Sequence, residues 1–173
     1  MTSILRNSLN AIKLPDSSRV WLFGAQRILT EIEEISIHRR LLDFIAGWQA
    51  HGKDLTADFC IIHRCVLVVV VDESKEAPSG CSIDKVFHLL QSQKEKFGLD
   101  FFHRTLVWIF KGEDICILNK QEIQAGLDCG EITDNTMTVN MLANNLGDVK
   151  MNGLRLTLGD SWIAPKLKFT HEG

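Results

Sequence analysis

The sequence predicts an α+β fold: a mostly antiparallel mixed sheet of roughly 5–6 strands packed with 3–4 helices in a single domain. Three observations carry this. The run from Cys65 to Val71 is apolar at every position, and a strand buried on both faces must be central, with cover on each side of the sheet. Two stretches show helical spacing behind N-cap signals. At least two pairs of strand-like runs are close enough in sequence to be hairpins, which favours antiparallel pairing over a doubly wound parallel sheet. The 173 residues suffice for one hydrophobic core and are too few for two comfortable ones.

The elements follow in order. Residues 1–18 read as an N-terminal extension, flexible or docked, with the domain spanning 19–173. The first fifteen residues carry Arg6 and Lys13 and no acidic side chain, but they lack the apolar centre of a secretion signal. Val20-Trp21-Leu22-Phe23 reads as a short strand, and Gly24 permits a change of direction after it. Thr30 with Glu33 forms a capping box for a helix from about Glu31 to Ala50. Ile32, Ile35, Leu42 and Ile45 supply its stripe, and Leu41, Phe44 and Trp48 widen it. Ala57–Ile62 and Cys65–Asp72 read as a hairpin about His63-Arg64, although that turn lacks the usual Gly or Asn. Ile83, Val86, Leu90 and Phe97 mark a second helix over Ser82–Phe97, stopped by Gly98. Thr105–Phe110 and Ile115–Leu118 form another hairpin across Lys111-Gly112-Glu113-Asp114. Asn119 with Glu122 opens a short helix that Gly130 ends. Beyond it, a strand near Thr136–Val139 and an edge strand at Leu154–Leu158 precede a closing loop with Ser161-Trp162 and Pro165.

The most informative stretch for chemistry is Ser79-Gly80-Cys81-Ser82-Ile83-Asp84-Lys85, where the chain enters the second helix. The start of a helix presents unpaired N–H groups and the positive end of the helix dipole, which stabilise thiolates and anions. Ser79, Gly80, Cys81, Ser82 and Asp84 are therefore the candidate ligand-binding residues, and Cys81 is a candidate nucleophile. Asp84 opposes a thiolate, because its charge competes for the same helix terminus. The plainer alternative is a turn in which Gly80 gives freedom, a serine caps the helix and Cys81 fills space. A nucleophile needs a base, and His51, expected at the end of the first helix, is the candidate. Its simpler role there is contact with free helix carbonyls.

Other groups weigh less. Cys60, His63 and Cys65 offer soft ligands in one segment, but the spacing fits no standard zinc pattern and no fourth ligand is indicated, so no metal is expected. Asp72-Glu73-Ser74-Lys75-Glu76 places carboxylates at the end of the central strand, where solvated loop charges are the simplest use. His38-Arg39-Arg40 is a small basic cluster, with Glu34 one turn before His38 for surface pairing. The four tryptophans, Trp21, Trp48, Trp108 and Trp162, read as core and rim packing. A net charge of -3 gives no electrostatic case for nucleic acid. The longest apolar run is far short of the roughly 20 residues of a membrane span. Five irregularly spaced cysteines favour reduced thiols and a cytoplasmic location. Phosphate-loop, dinucleotide, His-Glu-x-x-His and Gly-x-Ser-x-Gly motifs are absent, and no cofactor is expected.

Val20-Trp21, Trp48 with His51-Gly52, Val71-Asp72-Glu73-Ser74, Ser79-Gly80-Cys81-Ser82-Ile83-Asp84 and Ser161-Trp162 together resemble a small family of uncharacterised bacterial proteins, some labelled ABC-transporter ATPases. The resemblance covers the chain from about residue 19 onward and implies no catalytic residue. The ATPase label does not fit this chain, which has no loop to cradle phosphates. The expectation is thus a non-catalytic cytoplasmic domain that binds a small or anionic ligand, or a protein partner, near Ser79–Asp84. The alternative is a cysteine-dependent enzyme using Cys81. Subunit association, a homodimer included, is open.

Overall fold

In a computed structural model, residues 8–169 are described. The fold is α+β, with four helices and three antiparallel sheets of 3, 2 and 4 strands. The chain runs β1 (Arg19–Gly24), α1 (Glu31–Ala46), β2 (Gln49–Ala50), β3 (Lys53–Asp54), β4 (Ala57–Ile62), β5 (Val66–Val71) and α2 (Gly80–Phe97). It continues through β6 (Leu106–Lys111), β7 (Asp114–Asn119), α3 (Lys120–Cys129), β8 (Met137–Val139), α4 (Leu146–Asn152) and β9 (Arg155–Thr157). The expected single sheet is divided. The order β1-β5-β4 makes one sheet, β7-β6-β8-β9 a second, and β2-β3 a small hairpin.

The two large sheets stack face to face, and the alternation of side chains along β5 shows why. Leu67, Val69 and Val71 point toward Ile37 and Leu41 of α1 and Val86 and Leu90 of α2. Val66, Val68 and Val70 point the other way, toward Trp108, Phe110 and Ile115 of the second sheet. All six residues of β5 are buried, as expected of a central strand covered on both faces. The second sheet packs its opposite face, through Val107 and Ile109, on Ile123 and Leu127 of α3 and on Leu158, Ile163 and Leu167. The result is a helix–sheet–sheet–helix stack.

Helix α1 differs from its expected form in length and in face. It stops at Ala46, with Gly47 at its C-cap, and Trp48 leads into the β2–β3 hairpin. Its buried residues are Glu33, Glu34, Ile37, His38 and Leu41, whereas Ile32 is 76% exposed. The inward stripe contains two carboxylates because each has a cation. Arg27 donates two hydrogen bonds of 2.8 Å to the Glu33 carboxylate, and Arg64 Nε lies 3.4 Å from Glu34 Oε2. The Arg27 hydrogen bonds hold the Glu33 carboxyl down to about 2, while burial pushes the Glu34 carboxyl up. His38 is also buried, its ring centroid 5.0 Å from that of Phe59, so it is not part of a surface cluster.

The β4–β5 turn closes without Gly because tertiary contacts hold it. His63 and Arg64 take left-handed φ values of 48° and 54°. The carbonyls of Arg64 and Cys65 accept hydrogen bonds of 2.8 Å from Leu29 and Ala25. The described part of the N-terminal extension is docked: Ile12 is fully buried in the inter-sheet core, and Leu146 N donates to Ser18 O at 2.9 Å. Its first seven residues lie outside the described residues. Among the described residues, no helix is long and apolar enough to cross a membrane.

Candidate functional site

The Ser79–Asp84 junction is a well-made helix start. Ser79 is the N-cap, its hydroxyl accepting from Ser82 N at 3.2 Å, while Ser82 Oγ donates to Ser79 O at 2.7 Å. Ser82 is buried, and its carbonyl accepts a 2.9 Å hydrogen bond from Trp48 Nε1. That bond ties the first turn of α2 to the chain leaving α1. Gly80, Cys81 and Asp84 are exposed, and among the described residues Asp84 makes no hydrogen bond or ion pair. The cap is thus a serine, and Asp84 has no part in it.

His51 is not at the end of a helix. With φ of 51°, it forms the tight turn of the β2–β3 hairpin together with Gly52 at φ 78°, and it is exposed. Among the described residues, no hydrogen bond joins His51 to Cys81. Cys60 and Cys65 are buried in the inter-sheet core, where burial pushes each thiol up to about 12. His63 packs edge-on against Phe110, with ring centroids 5.6 Å apart. Among the described residues, no group of three or more His, Cys, Asp or Glu side chains is placed to hold a metal ion. Asp72 is not a solvated loop charge: it is 5% exposed and accepts from Ser74 Oγ at 2.6 Å and Ser74 N at 3.0 Å, hydrogen bonds that lower its pKa. Glu76 pairs with Lys53 at 2.9 Å.

The structure brings together a different set of residues, along β1. β1 is an edge strand: among the described residues, β5 is the one strand it pairs with. Val20 N donates outward to Asn144 O at 2.9 Å, so by strand alternation the N–H and C=O of Leu22 also point outward. The edge is closed at both ends, by a bridge from Arg19 to Asn145 and another from Gly24 to Phe102. Between them, the Leu22 peptide groups face a groove of about 490 Å³ without a backbone partner among the described residues.

Aromatic rings wall this groove. Phe87 of α2 lies edge-on to Phe23 with centroids 5.4 Å apart and stacks on Phe102 at 5.5 Å. Trp21, Trp108 and Trp162 also line it. Trp108 is seated by two local facts. Its Nε1 donates to Ala25 O at 3.0 Å in a buried site. Its ring lies against Gly24 so closely that a Cβ there would fall well inside 3.0 Å of the indole. The segment bearing Phe102 is fixed by Gln26, which donates to Gly98 O at 2.8 Å and accepts from Asp100 N. Asp100 is paired with Lys94 at 2.7 Å, and this hydrogen bond lowers its pKa. Among the described residues, His103 and Arg104 are the ionisable lining residues, and none of the lining is acidic.

No family model, curated protein or solved structure matches this chain. The site must be weighed on its own geometry. A second cavity, of about 720 Å³, lies between the β6–β7 hairpin and α3 and is lined by Cys116, Cys129, Glu122, Glu131 and Lys111 among others. It mixes both signs of charge. Neither cavity is lined by Ser79–Asp84.

The groove has no sequence signal of its own, because its walls come from residues 20–24, 87, 101–104, 106, 108, 141–143 and 162. The four tryptophans offered a partial one. Trp48 is core, whereas the other three converge on this groove.

Proposed function

We propose that this chain is a non-catalytic binding domain whose groove along β1 receives an extended segment of a protein partner. The observation that carries the reading is the open middle of β1, where a donor and an acceptor at strand spacing lie between apolar walls. An extended peptide satisfies those groups as an added strand, while its alternate side chains enter the pockets on either side. A volume of about 490 Å³ lies within the range of roughly 300–1,000 Å³ that binding pockets occupy. Ser79–Asp84 contributes as the mount of α2, which carries the Phe87 wall. The free thiols of the five cysteines are in keeping with a cytoplasmic location.

The test is titration of the isotope-labelled protein with a tetrapeptide of alternating valine and threonine, followed by amide NMR. The Leu22 amide shifts on binding. Methylating the peptide nitrogen that donates to the Leu22 carbonyl weakens binding about 2- to 10-fold, the effect of one hydrogen bond. Shifts confined to Ser79–Ser82, with Leu22 unmoved, refute the groove.

A further inference from the structure

The charge and the closed ends of the same groove bear on which part of a partner enters it. From Arg19 to Gly24 the edge runs about 17 Å at strand rise, and bridges to Asn145 and Phe102 occupy its two ends. About three residues of added strand fit between them. A chain that continued past Gly24 would meet the Phe102 segment, whereas a chain that ends there would not; at the other end it leaves the sheet before the Asn144–Asn145 segment.

Arg104 follows Phe102 by two residues in the chain. It is exposed, lines the groove and makes no ion pair among the described residues. The neighbouring His103 has its Nε2 3.7 Å from Asp100 Oδ2, and Asp100 also holds Lys94. Among the described residues, the lining contains no carboxylate to occupy Arg104. A guanidinium presents paired N–H donors that match a carboxylate.

Resting on the reading of the groove as a strand-binding site, we infer that its ligand is the free C-terminus of a partner protein. The segment runs parallel to β1, with apolar residues against the aromatic walls and the terminal carboxylate on Arg104.

The experiment compares two peptides identical except at the end, the valine–threonine tetrapeptide as free acid and as C-terminal amide, by tryptophan fluorescence titration. The acid binds about tenfold more tightly than the amide. Arg104→Gln removes that difference by weakening the acid alone, Arg104→Lys retains part of it, and added salt narrows it. Equal binding of acid and amide to the wild-type protein, with the Leu22 amide still shifting, overturns the carboxylate assignment and leaves the groove standing. Binding of neither peptide overturns both. The acid–amide comparison needs no variant, so it decides the matter even if the Arg104 variants fold poorly.

Discussion

Gly24 and Trp108 provide the sharpest test of how the groove is built. Gly24 has no positive φ that would demand glycine, so its role is one of space: a Cβ at this position overlaps Cζ2, Cε2 and Cη2 of Trp108. Gly24→Ala must push the indole aside. The displaced ring leaves the buried Ala25 carbonyl without its donor, which costs about 1–3 kcal/mol, and overpacking costs about 1–3 kcal/mol more. Part of each overlaps with the other, so the expected loss is about 2–4 kcal/mol. At this chain length that lowers the midpoint by on the order of 10 °C. Trp108→Phe removes the outer ring and the donor together and costs about 2–3 kcal/mol by itself. In that background Gly24→Ala costs less than about 1 kcal/mol, because the atoms it struck are gone. Urea denaturation of the four proteins of this double-mutant cycle therefore shows a coupling of about 1.5–3 kcal/mol. Equal cost of Gly24→Ala in both backgrounds, or a cost under about 0.5 kcal/mol in the wild type, refutes the steric account.

Trp48→Phe keeps most of a buried ring but removes the hydrogen bond to Ser82 O; a loss of about 1–3 kcal/mol in urea denaturation is expected, and a change under about 0.5 kcal/mol would show that this bond does not anchor α2. Glu33 has its carboxyl lowered from 4.5 to about 2, so its contribution is full above the unfolded value and is lost as pH falls through the folded one. The stability gap between wild type and Glu33→Gln is accordingly widest near neutrality and closes between about pH 4.5 and pH 2; a gap independent of pH contradicts the Arg27 pairing. Of the five thiols, Cys81 and Cys129 are exposed and Cys60 and Cys65 buried, so a thiol-specific reagent labels the first two rapidly in the native protein and the latter two only on unfolding. Rapid native labelling of Cys60 or Cys65, mapped by peptide mass, would contradict the inter-sheet core.

Much of the local structure was legible because its causes lie within a few residues. The capping boxes of Thr30 with Glu33 and Asn119 with Glu122 form as expected, since both partners sit in one turn. Gly98 and Gly130 end their helices in the left-handed conformation. α4 escaped notice because it has only seven residues and its buried Leu146 and Val149 pack in a core shared with distant Ile12. The buried face of α1 departs from its apolar pattern for a related reason. Glu33 and Glu34 look like surface residues until Arg27 and Arg64, brought up by other segments, make their burial affordable.

The class, the central place of β5, the hairpins and the helix caps follow from local sequence, because an all-apolar strand and a capped turn carry their requirements with them. Only the tertiary structure divided the strands into stacked sheets, moved His51 from a helix end to a hairpin turn, and gathered Trp21, Phe87, Phe102, Trp108 and Arg104 around the open edge of β1. Such a groove depends on which segments close the two ends of an edge strand and which rings then face each other. Those are contacts between residues tens of positions apart, and no periodicity along the chain encodes them.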